Sequence, residues 1–195
     1  MTKEYRTVPE YLINADTMVI LPHFDQHGNL YSVVCEVGRR FYVKQKPWEI
    51  INNSCLFNGS SFQGRVEGAI HITKYNRMVP IMICNRQGIY FFPTQSSKSE
   101  TCIWFAHDHI KAIIAIDSES CEVFLSSRMR VPINSTKAVI ETKVNRTAQY
   151  RHLVNQRESS WQPHRFPLDL SDHQHLTLER SGAYSFNKKD PEFQL

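Results

Sequence analysis

The sequence has no C-x-x-C pair, no internal repeat, no low-complexity tract and no apolar run long enough to span a bilayer. Each absence removes a class of protein. Its five cysteines, Cys35, Cys55, Cys84, Cys102 and Cys121, are odd in number and widely spaced, which reads as buried reduced thiols rather than a disulfide framework or a zinc ribbon. The charged start, Met1 to Arg6, is not followed by an apolar stretch. Asp16 interrupts the first candidate run, and Pro22 and His23 end it. The expectation is therefore no signal peptide, no membrane partner and a cytoplasmic location.

What is present suits one globular domain with a tail. Of 195 residues, 41% are hydrophobic and 22% charged, enough to bury a core without staples. The net charge is +4, and it is unevenly placed. Between Glu36 and Arg86 there are eight bases (Arg39, Arg40, Lys44, Lys46, Arg65, Lys74, Arg77, Arg86) against three acids (Glu36, Glu49, Glu67). A local positive field of this kind attracts polyanions and speeds their encounter.

The first two thirds read as short strands: Thr17 to Leu21, a hairpin of Leu30 to Val37 and Arg39 to Val43 around Gly38, then Ala69 to Lys74, Pro80 to Cys84, Ile89 to Phe92, Thr101 to Ala106 and Ile110 to Ile116. Cys121 to Leu125 and Met129 to Ile133 form a closing hairpin. Pro47 opens one short helix. After Ile133 come the N-cap types Asn134 and Ser135, and then a stretch free of Gly and Pro from Thr136 to Glu158, which reads as one long helix. The fold class expected is α+β: a compact β-rich, mostly antiparallel domain over 1–158, ending in a long helix at about 135–158. A partly mobile tail follows over 159–195, where Phe166, Leu168 and Leu170 form an apolar island.

Three of the seven glycines, Gly59, Gly64 and Gly68, lie between Ser54 and Gly68. Glycines there could make tight turns or let the backbone approach a partner closely. The spacing of Gly59 and Gly64 matches a Walker A loop, but Arg65 and Val66 stand where Lys and Ser/Thr are required. Nucleotide hydrolysis by that motif is excluded.

This segment and its flanks resemble the ComK family of competence regulators. The resemblance is carried by Ser54-Cys55-x-Phe57-x-Gly59-Ser60-Ser61-x-x-Gly64-Arg65, Gly68, Thr73-Lys74, Pro80-Ile81-Met82, Phe92-Pro93-Thr94-x-Ser96-Ser97 and Cys102-x-Trp104-x-x-His107-x-His109. Arg146-Thr147-Ala148 and Arg151 extend it into the long helix. It implies a transcription activator, not an enzyme and without a cofactor, associated with the nucleoid. Such a protein binds duplex DNA as a dimer or tetramer, reading paired A/T-rich boxes largely through the minor groove. It also implies contact with RNA polymerase and capture by a proteolytic adaptor, for which Phe166, Leu168 and Leu170 are the candidate site.

Charge and position then nominate the contacts. Arg65, Arg77, Arg39 and Arg40 are groove candidates, because A-tracts narrow the minor groove and favour arginine. Lys44, Lys46, Lys74, Ser60, Ser61 and Asn58 are phosphate candidates. Lys143, Arg146 and Arg151 either extend this surface or form the solvated side of a packing helix. Three rival readings stand beside this one. Cys102, His107 and His109 could ligate zinc. Cys55 or Cys102 with either histidine could form a nucleophile–base pair. Phe57, Phe62, Tyr90, Phe91 and Phe92 could stack single-stranded bases, although aromatics in apolar runs commonly bury themselves.

Overall fold

The computed structural model describes residues 6–160, 175–178, 181 and 184–187. The chain divides into two compact units, 1–160 and 161–195. In the second, β11 (His175–Leu178) and β12 (Tyr184–Asn187) pair antiparallel. The apolar island at Phe166, Leu168 and Leu170 lies outside the described residues, as do most of the residues expected to form a mobile tail.

The first unit is α+β. Ten strands build two sheets: β1 (Thr7–Val8), β2 (Thr17–Phe24), β3 (Leu30–Glu36), β4 (Arg39–Val43), β5 (Ile81–Cys84), β6 (Ile89–Pro93), β7 (Trp104–Ala106), β8 (Ile110–Ala115), β9 (Cys121–Leu125) and β10 (Arg130–Ile133). The larger sheet has the order β1-β4-β3-β2-β7-β6-β5, and the smaller β10-β9-β8. All pairings are antiparallel except the short β1–β4 ladder. Three helices complete the unit: α1 (Pro47–Phe57), α2 (Phe62–Thr73) and α3 (Lys137–Ser160).

Both faces of the large sheet are covered, which explains why its strands read as apolar runs rather than alternations. Along β7, Trp104 and Ala106 enter a cluster with Ile50, Ile51, Cys55 and Ala69 of the first two helices. Phe105, between them, enters a second cluster with Val123, Leu125 and Val131 of the small sheet. α3 contributes to both: Ile140 to the second, Tyr150 and Val154 to the first.

One expected strand is a helix. Ile70 and Ile72 alternate as in a strand, yet they belong to α2. Phe62, Val66, Ala69 and Ile70 recur at helical spacing and pack on the core beneath. The Ser61 hydroxyl caps the helix by accepting the Gly64 N–H at 3.0 Å, and Lys74 ends it in the left-handed region at φ 63°. Gly64 and Gly68 therefore lie inside a helix and make no turn. The cap of α3 also differs from expectation: the Thr136 hydroxyl, not Asn134 or Ser135, accepts the Val139 N–H, at 3.3 Å.

The buried stripe of α3 is Ile140, Lys143, Thr147, Tyr150 and Val154. Lys143 is 6% exposed, and its ammonium reaches the Met78 thioether at 3.3 Å, a poor acceptor. Burial lowers its pKa from the ordinary 10.5, with Arg146 adding to the effect and Cys102 opposing it. Lys143→Met is expected to stabilise the domain at neutral pH by about 1–3 kcal/mol, the penalty of an under-satisfied buried donor. The sign with pH follows from the lowered pKa. The penalty is complete while both states are protonated, and it fades as pH rises through the folded value toward 10.5. Urea melts at pH 7 and pH 9.5 should show the variant's advantage shrinking; an equal or growing advantage would contradict the assignment.

Candidate nucleic-acid interface

The connection between α1 and α2 is a tight, exposed turn. The Gly59 N–H bonds to the Leu56 carbonyl at 3.0 Å and the Ser60 N–H to the Cys55 carbonyl at 3.1 Å. This is a Schellman closure, and it needs a residue in the left-handed region, which Gly59 supplies at φ 79°. The Asn58 side-chain amide donates to the Ser54 carbonyl at 2.9 Å. Arg65 reaches back from α2 and donates from Nη2 to the Asn58 carbonyl at 2.9 Å, while its Nε is buried and finds no partner among the described residues. Ser61 then starts α2. The last turn of α1 carries Leu56 and Phe57, which are 54% and 76% exposed. A phenylalanine this exposed, on a rigid turn beside Asn58 and Ser60, does not serve the core.

The other cations fall into distinct groups. Arg39 pairs with buried Glu36, Arg146 lies 4.8 Å over the Tyr75 ring, and Arg151 pairs with Asp108 beside Tyr90. Lys44, Lys46, Lys74 and Arg77 are exposed and make no ion pair among the described residues. Arg39 and Arg40 stand at the Gly38 end of β4, roughly 15 Å along the strand from Lys44 at ~3.3 Å per residue. Ser61 and Arg77 come together, lining a cleft with Lys98, Trp48 and Trp104. Lys46 joins Lys98 on its smaller neighbour. Lys98, Trp48 and Trp104 were not nominated from sequence, because they are far apart in the chain and each is unremarkable alone.

The rival site residues are otherwise engaged. Burial pushes the Cys55 thiol up to about 11, with Arg65 pulling the other way, and burial also raises Cys102. A thiol in that state is a poor nucleophile. The Cys102 sulfur lies 3.5 Å from the Gln95 carbonyl. His107 and His109 sit in a 3-10 turn, not on a strand. His107 meets Asp108 at 3.1 Å; His109 bridges the Ala15 carbonyl at 2.8 Å and Ser126 at 3.2 Å. Among the described residues, no group of three His, Cys, Asp or Glu is placed to hold a metal. Tyr90, Phe91 and Phe92 are buried at 1%, 0% and 1% exposure, so of the five aromatics considered for stacking only Phe57 is exposed.

The family model described as ComK protein matches residues 8–159, which takes in every strand and helix of the first unit except the first residue of β1 and the last of α3. The chain belongs to the ComK family. It is 36% identical over 143 residues to the competence transcription factor of Bacillus subtilis strain 168, covering 72% of this chain and 73% of that protein. No solved structure matches it. The α1–α2 turn lies within the matched residues. No helix among the described residues is long and apolar enough to cross a membrane.

Proposed function

We propose that this ComK protein is a transcription activator of competence genes. In this reading it binds duplex DNA at paired A/T-rich boxes, largely through the minor groove, as a dimer or tetramer in the cytoplasm. Family membership and the likeness to a competence transcription factor support the activator role. The observation that carries the mode of binding is the exposed Phe57 on its braced turn. Proteins that bind the minor groove insert apolar wedges between base steps and so kink the duplex. A·T pairs lack the guanine amino group in that groove, and their tracts concentrate negative potential there.

Phe57 is the proposed wedge. Asn58, Ser60 and Ser61 on the same turn contact phosphates, and Lys44, Lys46, Lys74 and Arg77 supply charge along the backbone. Arg39, Arg40, Arg146 and Arg151 extend the surface where their own partners allow. Arg65 stays in the contact set and also holds the turn, through its bond to the Asn58 carbonyl. The roles of RNA polymerase and of a proteolytic adaptor at Phe166, Leu168 and Leu170 belong to the same proposal.

A duplex carrying two A/T boxes, with a G/C-substituted control, tests this reading in a fluorescence anisotropy titration at two salt concentrations. Phe57→Ala should weaken binding to the A/T duplex by ~1–3 kcal/mol, the scale of aromatic–base stacking. It should leave the melting temperature unchanged, since the ring is exposed. Equal binding to both duplexes by the unmodified protein removes the A/T reading. Unchanged affinity in Phe57→Ala removes the turn from the interface.

A further inference from the structure

The cleft beside α2 has properties that the DNA reading does not use. Its volume is about 760 Å³, within the range of small-molecule sites. Trp48, Phe62 and Trp104 form its aromatic wall, with ring centroids 6.2 and 6.1 Å apart and edge-on contacts between successive rings. Val66, Ile70 and Val79 continue the apolar lining. Trp104 is 1% exposed, and its indole N–H is buried without a hydrogen-bond partner among the described residues. A buried donor of this kind ordinarily finds an acceptor.

The surroundings select the sign of charge. Arg77 and Lys98 are both exposed at the cleft, and no Asp or Glu lines it. The N-terminal end of α2, with Ser61, Phe62 and Gln63, opens onto it and adds the positive end of a 12-residue helix. The opposite wall runs from Asn76 to Val79, where Met78 holds φ at 46°, an uncommon conformation for a residue with a side chain. A duplex is far too wide to reach a tryptophan at the base of a cleft this size, and a bare phosphate would leave the apolar walls uncovered.

We propose that this cleft binds a small amphipathic anion: an aromatic or acyl body against Trp48, Phe62 and Trp104, with an anionic head held by Arg77 and Lys98. Arg77 also stands in the proposed DNA contact set, so this anion and a DNA phosphate would compete for its guanidinium; the dye test itself involves no DNA.

The test uses the full chain and two dyes with the same apolar framework, one anionic and one neutral: 8-anilinonaphthalene-1-sulfonate and N-phenyl-1-naphthylamine. Dye fluorescence should report one site, with the sulfonate bound at least tenfold more tightly. Arg77→Glu with Lys98→Glu, both at exposed positions, should remove that preference and leave the neutral dye unaffected. Val66→Trp should fill the cleft and abolish both dyes while circular dichroism shows a folded protein. If Val66→Trp does not fold, the double charge reversal decides alone. Displacement by decanoate or by 1-naphthoate distinguishes an acyl from an aryl body. The proposal is overturned by several weak sites, by equal affinity for the two dyes, by a charge reversal without effect, or by displacement with neither competitor.

Discussion

Glu36→Ala is expected to lower the stability of the domain by about 2–5 kcal/mol, since each buried polar group left without its partner costs ~1–3 kcal/mol. Glu36 ends β3 and is 1% exposed. Its Oε1 accepts the Tyr11 hydroxyl at 2.7 Å and the Asn14 amide at 2.8 Å, and its Oε2 accepts Arg39 Nε. Tyr11 also meets the Thr17 hydroxyl at 2.5 Å, and the Asn14 N–H donates to that same hydroxyl at 3.0 Å. The network thus fastens the segment before β2 to the sheet. Alanine leaves the Tyr11 hydroxyl and the Asn14 amide short of an acceptor in a half-buried place. Against the 5–15 kcal/mol of a typical domain this is a large fraction.

The same network sets an acid dependence. Burial pushes the Glu36 carboxyl up, but the hydrogen bonds from Tyr11, Asn14 and Arg39 together outweigh it and hold the group below its ordinary 4.5. A lowered folded pKa contributes stability that is complete above the unfolded value and lost as pH falls through the folded one. Urea melts of the unmodified protein, Glu36→Ala and Glu36→Gln at pH 7 and pH 3.5 check both points. The gap between the unmodified protein and the glutamine variant should narrow in acid. A Glu36→Ala variant within about 0.5 kcal/mol of the parent, the spread of ordinary surface substitutions, would show that the network holds nothing.

Replacing Lys44, Lys46, Lys74 and Arg77 together with glutamine should change DNA binding most visibly in its salt dependence. Each cation that neutralises a phosphate releases counterions, and each contributes about −0.9 to the slope of log affinity against log salt. Four lost contacts should flatten the slope by roughly 3–4 units. Between 50 and 200 mM salt the parent would then lose on the order of 100-fold more affinity than the variant. These four side chains are exposed and free of ion pairs among the described residues, so their loss leaves the fold intact. Anisotropy titrations across that salt range measure the slope directly. A parallel pair of lines would place the DNA elsewhere on the protein.

Much of the β-framework was readable because its signals are local. Gly38 sits at φ 86° between two strand-forming runs, and Cys121 to Ile133 pairs as a hairpin in the register its apolar residues demand. α2 was not readable in the same way. Ile70 and Ile72 satisfy a two-residue period by accident, and the helix is fixed instead by Ser61 and by contact with α1, β5 and α3. The stripe of α3 was blurred because two of its five buried positions are Lys143 and Thr147. The turn at Asn58 to Ser61 was visible as a cluster of glycine and serine, but the role of Arg65 in bracing it depends on a contact seven residues back. The cleft gathers Trp48, Phe62, Arg77, Lys98 and Trp104 from separate elements, and no spacing rule reaches that far.

The path of α3 bears on how the first unit comes apart. It is the last element of that unit, and it contributes side chains to the apolar clusters on both faces of the large sheet. Within the first unit, tension applied at Ser160 therefore loads a helix before it loads any strand of that unit. A helix pulled from its end yields one turn at a time, whereas paired strands loaded along their length must break many bonds together. Peeling α3 from its C-terminal end frees Val154 and Tyr150 first and Ile140 last, so the helix-side core opens before the small-sheet side. The first unit is thus weakest in one mechanical direction, that of its own C-terminal end.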